Sequence, residues 1–453
     1  MKTNKLENLK KQLINELKGQ KRYNRLKKEY KNKPKEDKEP KIIGITGSRG
    51  KSTTAYIVHE YLKFLGYKSI LYSSLGIDSP ASIVDPNEAC EIAFKNKNSI
   101  FNMIEEAEKY GADYVIMEIN ESTIEKGILK DVPFTVRAIT NLNPKHNDEQ
   151  YTVKEYVDLK KLFFKTADRD CKCVIGMQYM EKELFEEFLN LNNCPKYTFG
   201  SQYIADIKDI DKRKIDCLLY ELYSNMNGLQ MKFKLNDKSY NVLTNTMLSI
   251  NALNFMGAIT ILNALNEFNI SKFNECVKNL VIPGREEVIK VKGRTIVIDT
   301  FLSPALEEYN KFKTNKEINS VKVVVGAVGT GFKTWNDRYK SDLFLSKRSE
   351  SRKYAMSIVE KYADFAYLTC NDNAKENVLD ICEELQGYLL NCPTKIIVDR
   401  EEAIKMAIRE SKEGDLIFIS GRGNRRILCN GESTIKLLKD KEVVEKTIKE
   451  LGW

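Results

Sequence analysis

The chain has 453 residues, of which 42% are hydrophobic and 30% charged, with only 23 Gly and 10 Pro. That composition excludes a collagen-like, linker-like or disordered chain and leaves room for several cores. The formal net charge is +9, yet residues 1–40 hold 14 Lys/Arg against 6 Asp/Glu, so the excess sits in one arm and the body is nearly neutral. No groove-reading motif accompanies the charge, so no specific nucleic-acid role is predicted. No apolar run reaches the ~18 residues of a membrane span, and the N-terminus lacks a secretory pattern. A cytoplasmic protein is expected.

Residues 1–40 read as a Lys-rich amphipathic helix (Leu6 to Tyr30) and a polar linker (Asn32 to Pro40), an arm suited to an acidic surface. From Lys41 short apolar runs alternate with helical spacing. Strands are predicted at Lys41–Thr46, Ser69–Ser74, Asp113–Ile119 and Phe134–Thr140, and helices at Thr53–Leu65, Ile100–Tyr110 and Val153–Thr166. This rhythm predicts an α/β fold with a mainly parallel sheet. Cys217–Tyr223, Leu229–Leu235 and Tyr240–Leu243, with turn signals at Asn227-Gly228 and Asn236-Asp237, predict an antiparallel extension. A helix over Met247–Leu265 follows. After Pro283-Gly284 the pattern restarts, with strands at Thr295–Asp299, Val321–Gly326, Phe365–Thr369, Lys395–Val398 and Leu416–Ser420. This second unit is Rossmann-like in rhythm. The predicted organisation is an arm (1–40), a central nucleotide-binding domain (41–284) and a C-terminal α/β domain (285–453).

Only two histidines occur, His59 and His146, which excludes a multi-histidine metal centre and points to oxygen-held Mg²⁺. The ten cysteines include no C-x-x-C, and Cys171 and Cys173 fit an alternating strand better than a zinc ribbon.

The strongest motif is Gly44-Ile45-Thr46-Gly47-Ser48-Arg49-Gly50-Lys51-Ser52-Thr53, which follows a strand and opens a helix. Small residues there let backbone N–H groups turn inward around an anion, and the helix N-terminus adds partial positive charge. Lys51 would reach the β- and γ-phosphates, and the Ser52 or Thr53 hydroxyl would hold Mg²⁺. Ile45 stands where the common phosphate-loop pattern begins with glycine.

This loop resembles that of the Mur ligase superfamily, the ATP-dependent amide-bond ligases. Further blocks match in order over roughly residues 41–430. They are Val115-Ile116-Met117-Glu118, then Ile139-Thr140-Asn141-Leu142 with His146, then Tyr156 with Lys160 and Leu162-Phe163. Asn251 and Asn254, Pro283-Gly284-Arg285, and Asp299 with Ser303-Pro304 continue the series. Asn371-Asp372-Asn373, Asp399-Arg400 and Gly421-Arg422-Gly423 resemble the branch that makes UDP-N-acetylmuramoyl tripeptide. The resemblance implies ATP, two Mg²⁺ ions and an acyl-phosphate intermediate. It makes Glu118 and His146 metal ligands, and Lys160 a CO₂-derived carbamate holding the second ion. It places Asn251 and Asn254 at adenine, Asp299 at ribose or phosphate, and Arg285 as a phosphate clamp.

The substrates are less defined. Peptidoglycan ligases grip a UDP-sugar with a further N-terminal domain, for which 40 Lys-rich residues are too few. Where the tripeptide branch reads a diamino acid with Asp-Asn-Pro-Arg and Gly-Lys-Gly-His-Glu blocks, this chain has Asn371-Asp372-Asn373-Ala374 and Gly421-Arg422-Gly423-Asn424-Arg425. Arg425 in place of a carboxylate predicts an amino substrate with an acidic side chain rather than diaminopimelate. Lys145 and Leu302 replace an Asp and a His of the family pattern, and Thr330 to Glu350 form a charged insertion with Trp335. The expected function is ATP-dependent addition of an amino acid to a carboxylate acceptor. A true tripeptide synthetase, a poly-γ-glutamate- or cyanophycin-like synthetase, and a nucleotide-switched binding protein remain as alternatives.

Overall fold

The computed structural model describes residues 39–79, 82–84, 97–129, 131–143, 151–203, 214–330, 342–430 and 433–453. Residues 1–38 of the basic arm, Lys145, His146, and residues 331–341 of the insertion with Trp335 lie outside the described residues.

The first lobe begins with β1 (Lys41–Thr46) and α1 (Lys51–Phe64), followed by β2 (Ser69–Ser73), β3 (Gly76–Ser79), β4 (Ser82–Val84) and α2 (Lys97–Lys109). Next come β5 (Tyr114–Glu118), α3 (Glu121–Glu125), β6 (Phe134–Ile139), α4 (Val153–Lys165), β7 (Lys172–Gly176) and α5 (Lys182–Asn190). It ends with β8 (Lys196–Ser201), β9 (Cys217–Asn225), β10 (Gly228–Leu235), β11 (Lys238–Thr244), α6 (Asn251–Ala264) and α7 (Ile270–Val277). One sheet carries all eleven strands in the order β11-β10-β9-β8-β7-β6-β1-β5-β2-β3-β4. From β9 to β2 the neighbours run parallel, and both edges turn antiparallel. The parallel strands are apolar without alternation because helices cover both faces. Separate apolar clusters fill the two faces, one around Phe163 and Phe188, the other around Ile57 and Phe255. Asn236 and Asp237, with φ of 47° and 63°, form the two-residue turn joining β10 to β11, as their sequence signal predicts. Cys171 and Cys173 are both buried in one cluster at the start of β7, which agrees with the strand reading.

The second lobe contains β12 (Glu287–Val291), β13 (Arg294–Asp299), α8 (Ala305–Thr314), β14 (Ser320–Val325), α9 (Asp342–Tyr362), β15 (Phe365–Leu368) and α10 (Val378–Gly387). β16 (Thr394–Ile396), α11 (Arg400–Arg409), β17 (Asp415–Ser420), β18 (Ile427–Asn430), β19 (Ser433–Lys436) and α12 (Asp440–Glu450) complete it. Its six-stranded sheet runs β12-β13-β17-β14-β15-β16, parallel except for β12. The later part of the charged insertion is the start of α9.

Three departures from the sequence reading have simple causes. The helix expected from Met247 begins at Asn251, because residues 247–250 form a turn whose N–H groups go to acids of the second lobe. β9 joins the sheet in parallel with β8, so the antiparallel extension starts one strand later than its alternation suggests. The β3–β4 and β18–β19 hairpins and β12 have no strong apolar period, so the sequence does not announce them.

Arg400 at the start of α11 is 4% exposed and forks onto Asp440 of α12 at 2.8 Å through both Nε and Nη2, while Nη2 also donates to the Ser420 carbonyl at 2.9 Å. The fork ties the last helix to the end of β17. Replacing Asp440 by Asn would leave a buried guanidinium uncompensated, at a cost of about 3–5 kcal/mol. Urea denaturation of Asp440→Asn should show that loss; an unchanged midpoint would mean water replaces the partner.

Candidate functional site

Four strands of the first sheet deliver their carboxyl ends to one place. β1 leads through Gly47–Gly50 into α1, β2 ends at Ser73 just before Ser74, β5 ends at Glu118, and β6 ends at Ile139 just before Thr140-Asn141. In the second sheet β13 ends at Asp299 and β17 leads to Arg422. Between the two lies a cavity of ≈ 330 Å³ lined by residues of both lobes. Crevices outside the carboxyl ends of parallel strands are where such folds bind ligands.

The phosphate loop is pinned by close contacts. Gly47 has φ 141°, and a Cβ there would sit 2.0 Å from Thr140 Oγ1. Gly50 has φ 79°, and a Cβ would sit 2.0 Å from Asn254 Oδ1. Gly44 plays another part: it lies in β1, with the Phe134 and Phe163 rings 2.7 and 2.9 Å from where a Cβ would be. Asn141 braces the loop from β6. Its carbonyl accepts from Ser48 N at 3.1 Å, its Oδ1 from Arg49 N at 3.2 Å, and its Nδ2 donates to Arg49 O at 3.0 Å. Asn141 belongs to a family block of the sequence, but its bracing role shows only in the fold. Lys51 Nζ donates to the Gly47 carbonyl at 2.9 Å and lines the cavity, so the loop closes around its own lysine.

Ser52, Ser74 and Glu118 form an oxygen cluster. Ser52 Oγ and Ser74 Oγ are 2.7 Å apart, and Ser74 N donates to Glu118 Oε2 at 2.8 Å. Glu118 is 8% exposed and lines the cavity with both serines. Hydroxyls and a carboxylate are hard donors, a set that fits Mg²⁺. Thr53, 5% exposed, also lines the cavity.

On its amphipathic helix, Lys160 is as compatible with a solvated face as with an interior. It is fully buried, donating to Thr46 Oγ1 at 2.8 Å and ion-paired to Glu121, while Lys161 pairs with Glu187 on the outside. Burial opposes ionisation of Glu121, but Lys160 and Lys51 beside it hold its carboxyl below the usual range. Glu121 carries no sequence signal beyond its place after Glu118. Tyr156, one turn before Lys160, donates to Ser48 Oγ at 2.8 Å.

From the second lobe, Arg285 donates to the Gly284 carbonyl at 3.1 Å and to Thr300 Oγ1, and stacks on Phe301. Asp299 accepts from Thr300 N at 2.5 Å, Phe301 N at 3.1 Å and Glu286 N at 3.0 Å; burial nevertheless raises its pKa. Asn251, Asn254, Arg285, Asp299 and Arg425 all line the cavity. Asn371 and Asp372 do not. Asn371 turns inward, its Oδ1 accepting from Asp372 N at 2.9 Å, and Asp372 pairs with Arg422 at 3.2 Å and Arg425 at 3.4 Å, both of which line the cavity. Asn371 and Asp372 thus stand behind the arginines that line the cavity. Arg422, with 1% exposure, lines the cavity as well, a placement its block in the sequence does not announce.

The other histidine, His59, is fully buried away from the cavity, bonded to Ser69 Oγ at 2.8 Å and Asp78 Oδ2 at 3.0 Å. Its ligand atom lies within 4.8 Å of those of Glu60 and Asp78. Lys63 Nζ already occupies both acids at 3.1 and 3.0 Å.

Glu286, in an Arg-Glu-Glu run that reads as an exposed linker, is 4% exposed. Burial pushes its carboxyl up to about 8, and nearby Asp299 adds to this, against hydrogen bonds from Met247, Leu248 and Asn251.

Two expectations follow. Gly47→Ala forces a Cβ onto Thr140 and strains the loop by about 1–3 kcal/mol, so ATP affinity should fall ~5–150-fold by equilibrium titration, with the fold kept. Because Glu286 holds its proton in the folded chain up to about pH 8 against 4.5 in its ordinary state, the native state binds the extra proton between those values. Stability should therefore fall as pH rises through that window, by at most ~1.4 kcal/mol per unit from this group. Urea midpoints from pH 5 to 8 should slope less steeply in Glu286→Gln; equal slopes would reject the assignment.

Comparison with known proteins agrees with this geometry. The Mur ligase middle domain matches residues 45–262, and the Mur ligase glutamate ligase domain matches residues 310–423. A UDP-N-acetylmuramoyl-L-alanyl-D-glutamate–2,6-diaminopimelate ligase of Buchnera aphidicola is 26% identical over 387 residues, covering 85% of this chain and 72% of that protein. UDP-N-acetylmuramyl-tripeptide synthetase 2 of Oceanobacillus iheyensis is 26% identical over 391 residues, 84% of this chain and 72% of that one. Among solved structures, the MurF ligase from Thermotoga maritima in complex with ADP superposes with a TM-score of 0.61 at 16% identity, covering 95% of this chain and 83% of that one. A folylpolyglutamate synthase from Thermotoga maritima gives 0.61 at 14% identity, covering 88% and 89%. With its phosphate loop, two α/β lobes and matching domain blocks, the chain belongs to the Mur ligase family of ATP-dependent amide-bond ligases.

Proposed function

We propose that this ligase joins an amino acid to a carboxylate-bearing acceptor through an acyl phosphate, with residues 41–284 and 285–453 as its two working domains. The observation that carries the reading is the single cavity holding Lys51, Ser52 and Glu118 from one lobe and Arg285, Asp299 and Arg425 from the other. An acceptor carboxylate oxygen attacks the γ-phosphorus of ATP and ADP leaves. The amine nitrogen then attacks the acyl carbon, phosphate leaves, and the amine gives up a proton. The obstacle is charge, since a carboxylate must approach a polyanion. Lys51 and the N–H groups of Gly47–Lys51 receive the phosphates, and Arg285, stacked on Phe301, faces them from the other side.

Ser52, Glu118 and His146 would serve as Mg²⁺ ligands, with a carbamate on Lys160 holding a second ion. Bound Mg²⁺ supplies charge screening between the acceptor and the γ-phosphate. Lys160 is the proposed carbamate. As an ammonium it pairs with Glu121; as a carbamate it would face that carboxylate as a second anion, an arrangement suited to a cation between them.

The proposed amino substrate carries an acidic side chain. Arg422 and Arg425 share the one carboxylate of Asp372, so the pair keeps a net positive charge, and the Arg425 side chain is 44% exposed at the cavity. The diaminopimelate named for the relatives would bring an ammonium toward that charge.

Phosphate release from ATP and Mg²⁺ tests this. Acceptors should include UDP-N-acetylmuramoyl dipeptide and simpler carboxylates, each set against glutamate, aspartate, lysine and diaminopimelate, with and without bicarbonate. An acidic amino acid should turn over at least ~10-fold better than a diamino acid, bicarbonate should raise the rate, and Lys51→Ala should lose ~100-fold or more. Preference for diaminopimelate would make it a tripeptide synthetase instead. Phosphate release that no acceptor stimulates would favour a nucleotide-switched binding protein.

A further inference from the structure

The turn at residues 247–250, between β11 and α6, belongs to the first lobe by sequence but is held by the second. Met247 and Leu248 are buried in one cluster with Val297, Leu306 and Tyr309. Two acids of the second lobe grip it. Glu308 of α8 accepts from Ser249 N at 2.8 Å and from Ser249 Oγ. Glu286 accepts on Oε1 from Met247 N at 2.5 Å and Leu248 N at 2.8 Å, and on Oε2 from Asn251 Nδ2 at 2.6 Å. Glu286 has φ 47°, a left-handed backbone that a side-chain-bearing residue adopts at a cost. Glu308 thus holds only the turn, while Glu286 also directs a side chain.

That direction propagates. An ionised carboxylate only accepts, so whenever Glu286 has lost its proton Asn251 must turn its NH₂ toward it, as it does here. Asn251 Oδ1 is then left to accept from Asn254 Nδ2, at 2.9 Å. Asn254 in turn has its Oδ1 facing the phosphate loop, where it would lie 2.0 Å from a Cβ on Gly50. Reversed, the Asn254 amide would aim N–H bonds at the start of α1. Loop N–H groups already converge there, and like dipole ends repel.

We propose that Glu286, once ionised, is a positioning residue for nucleotide binding: its acceptor-only carboxylate then sets the direction of the Asn251–Asn254 amide chain and so holds a carbonyl oxygen against Gly50, coupling the second lobe to the phosphate loop. The inference rests on the reading of this loop as the ATP site. Asp299 of β13 and Tyr309 of α8 face Glu286, and Arg285 adjoins it.

A double-mutant cycle tests the direction of the chain rather than its mere presence. ADP and ATP affinities are measured at pH 9, where Glu286 is ionised, for the full chain and for Glu286→Gln, Asn251→Asp, their combination, and Glu308→Gln. Each single change at 286 or 251 should weaken nucleotide binding about 10-fold, since one places an NH₂ against an NH₂ and the other a carboxylate against a carboxylate. In the combination the new amide at position 286 donates to the new carboxylate at position 251. That carboxylate accepts from Asn254 as the native amide oxygen does, and the total charge is unchanged. The loss in the combination should be at least ~10-fold smaller than the product of the two single losses. Glu308→Gln should lower the melting temperature with little change in affinity. If the two losses add in the combination, or if Glu286→Gln binds like the parent, the relay is overturned. A parent chain that binds no nucleotide would instead sink the ATP-site reading itself.

Discussion

The structure depends on an approach of backbone to its neighbours that leaves no room for a Cβ. Gly47 lies against Thr140 and Asn141 of one strand end, and Gly50 against the Asn254 side chain from α6. Those contacts turn the loop so that its N–H groups and the start of α1 point one way. An anion site follows from geometry before any charged side chain is added. The surrounding elements hold the loop in place: Asn141 bonds three of its backbone groups, and Tyr156 reaches its serine from α4.

Around this core the chain distributes buried charge in pairs and shared partners. Lys160 answers to Glu121, Arg400 to Asp440, and Arg422 with Arg425 to Asp372. The third leaves net positive charge at the cavity, where binding phosphates and carboxylates is the chemical task. The second lies beneath the second sheet and fixes the last helix. Glu286 and Asp299 differ, since each carboxyl is satisfied chiefly by N–H donors and burial raises its pKa. Both sit at the seam between lobes, and both contact the turn or the strand end that completes the cavity.

Much of the fold is legible along the chain because strands buried on both faces read as short apolar runs, and helices between them keep their period. β1, β5, β6, β13, β14 and β17 fall where those runs predict. The hairpins β3–β4 and β18–β19 do not, because short edge strands lack a buried face to impose a pattern. In the site, Lys51, Ser52, Glu118, Arg285, Asp299 and the two asparagines are brought together as their motifs suggest. His146 lies outside the described residues.

What the sequence by itself determined is the chemistry that local order carries: a glycine-rich turn between strand and helix, an acid at a strand end, and the alternation of an α/β chain. Such signals depend on neighbours a few residues apart, and so survive in one dimension. What only the tertiary structure decided is which polar groups are buried and whom they face. Lys160 and Lys161 are adjacent and chemically identical, yet one is enclosed against Thr46 and Glu121 while the other pairs at the surface. Glu286 reads as part of a charged linker, yet meets the 247–251 turn 35–39 positions away. Asp372 reads as a substrate contact, yet stands behind two arginines about 50 positions on. Burial and pairing at those separations are properties of packing, and no local pattern encodes them.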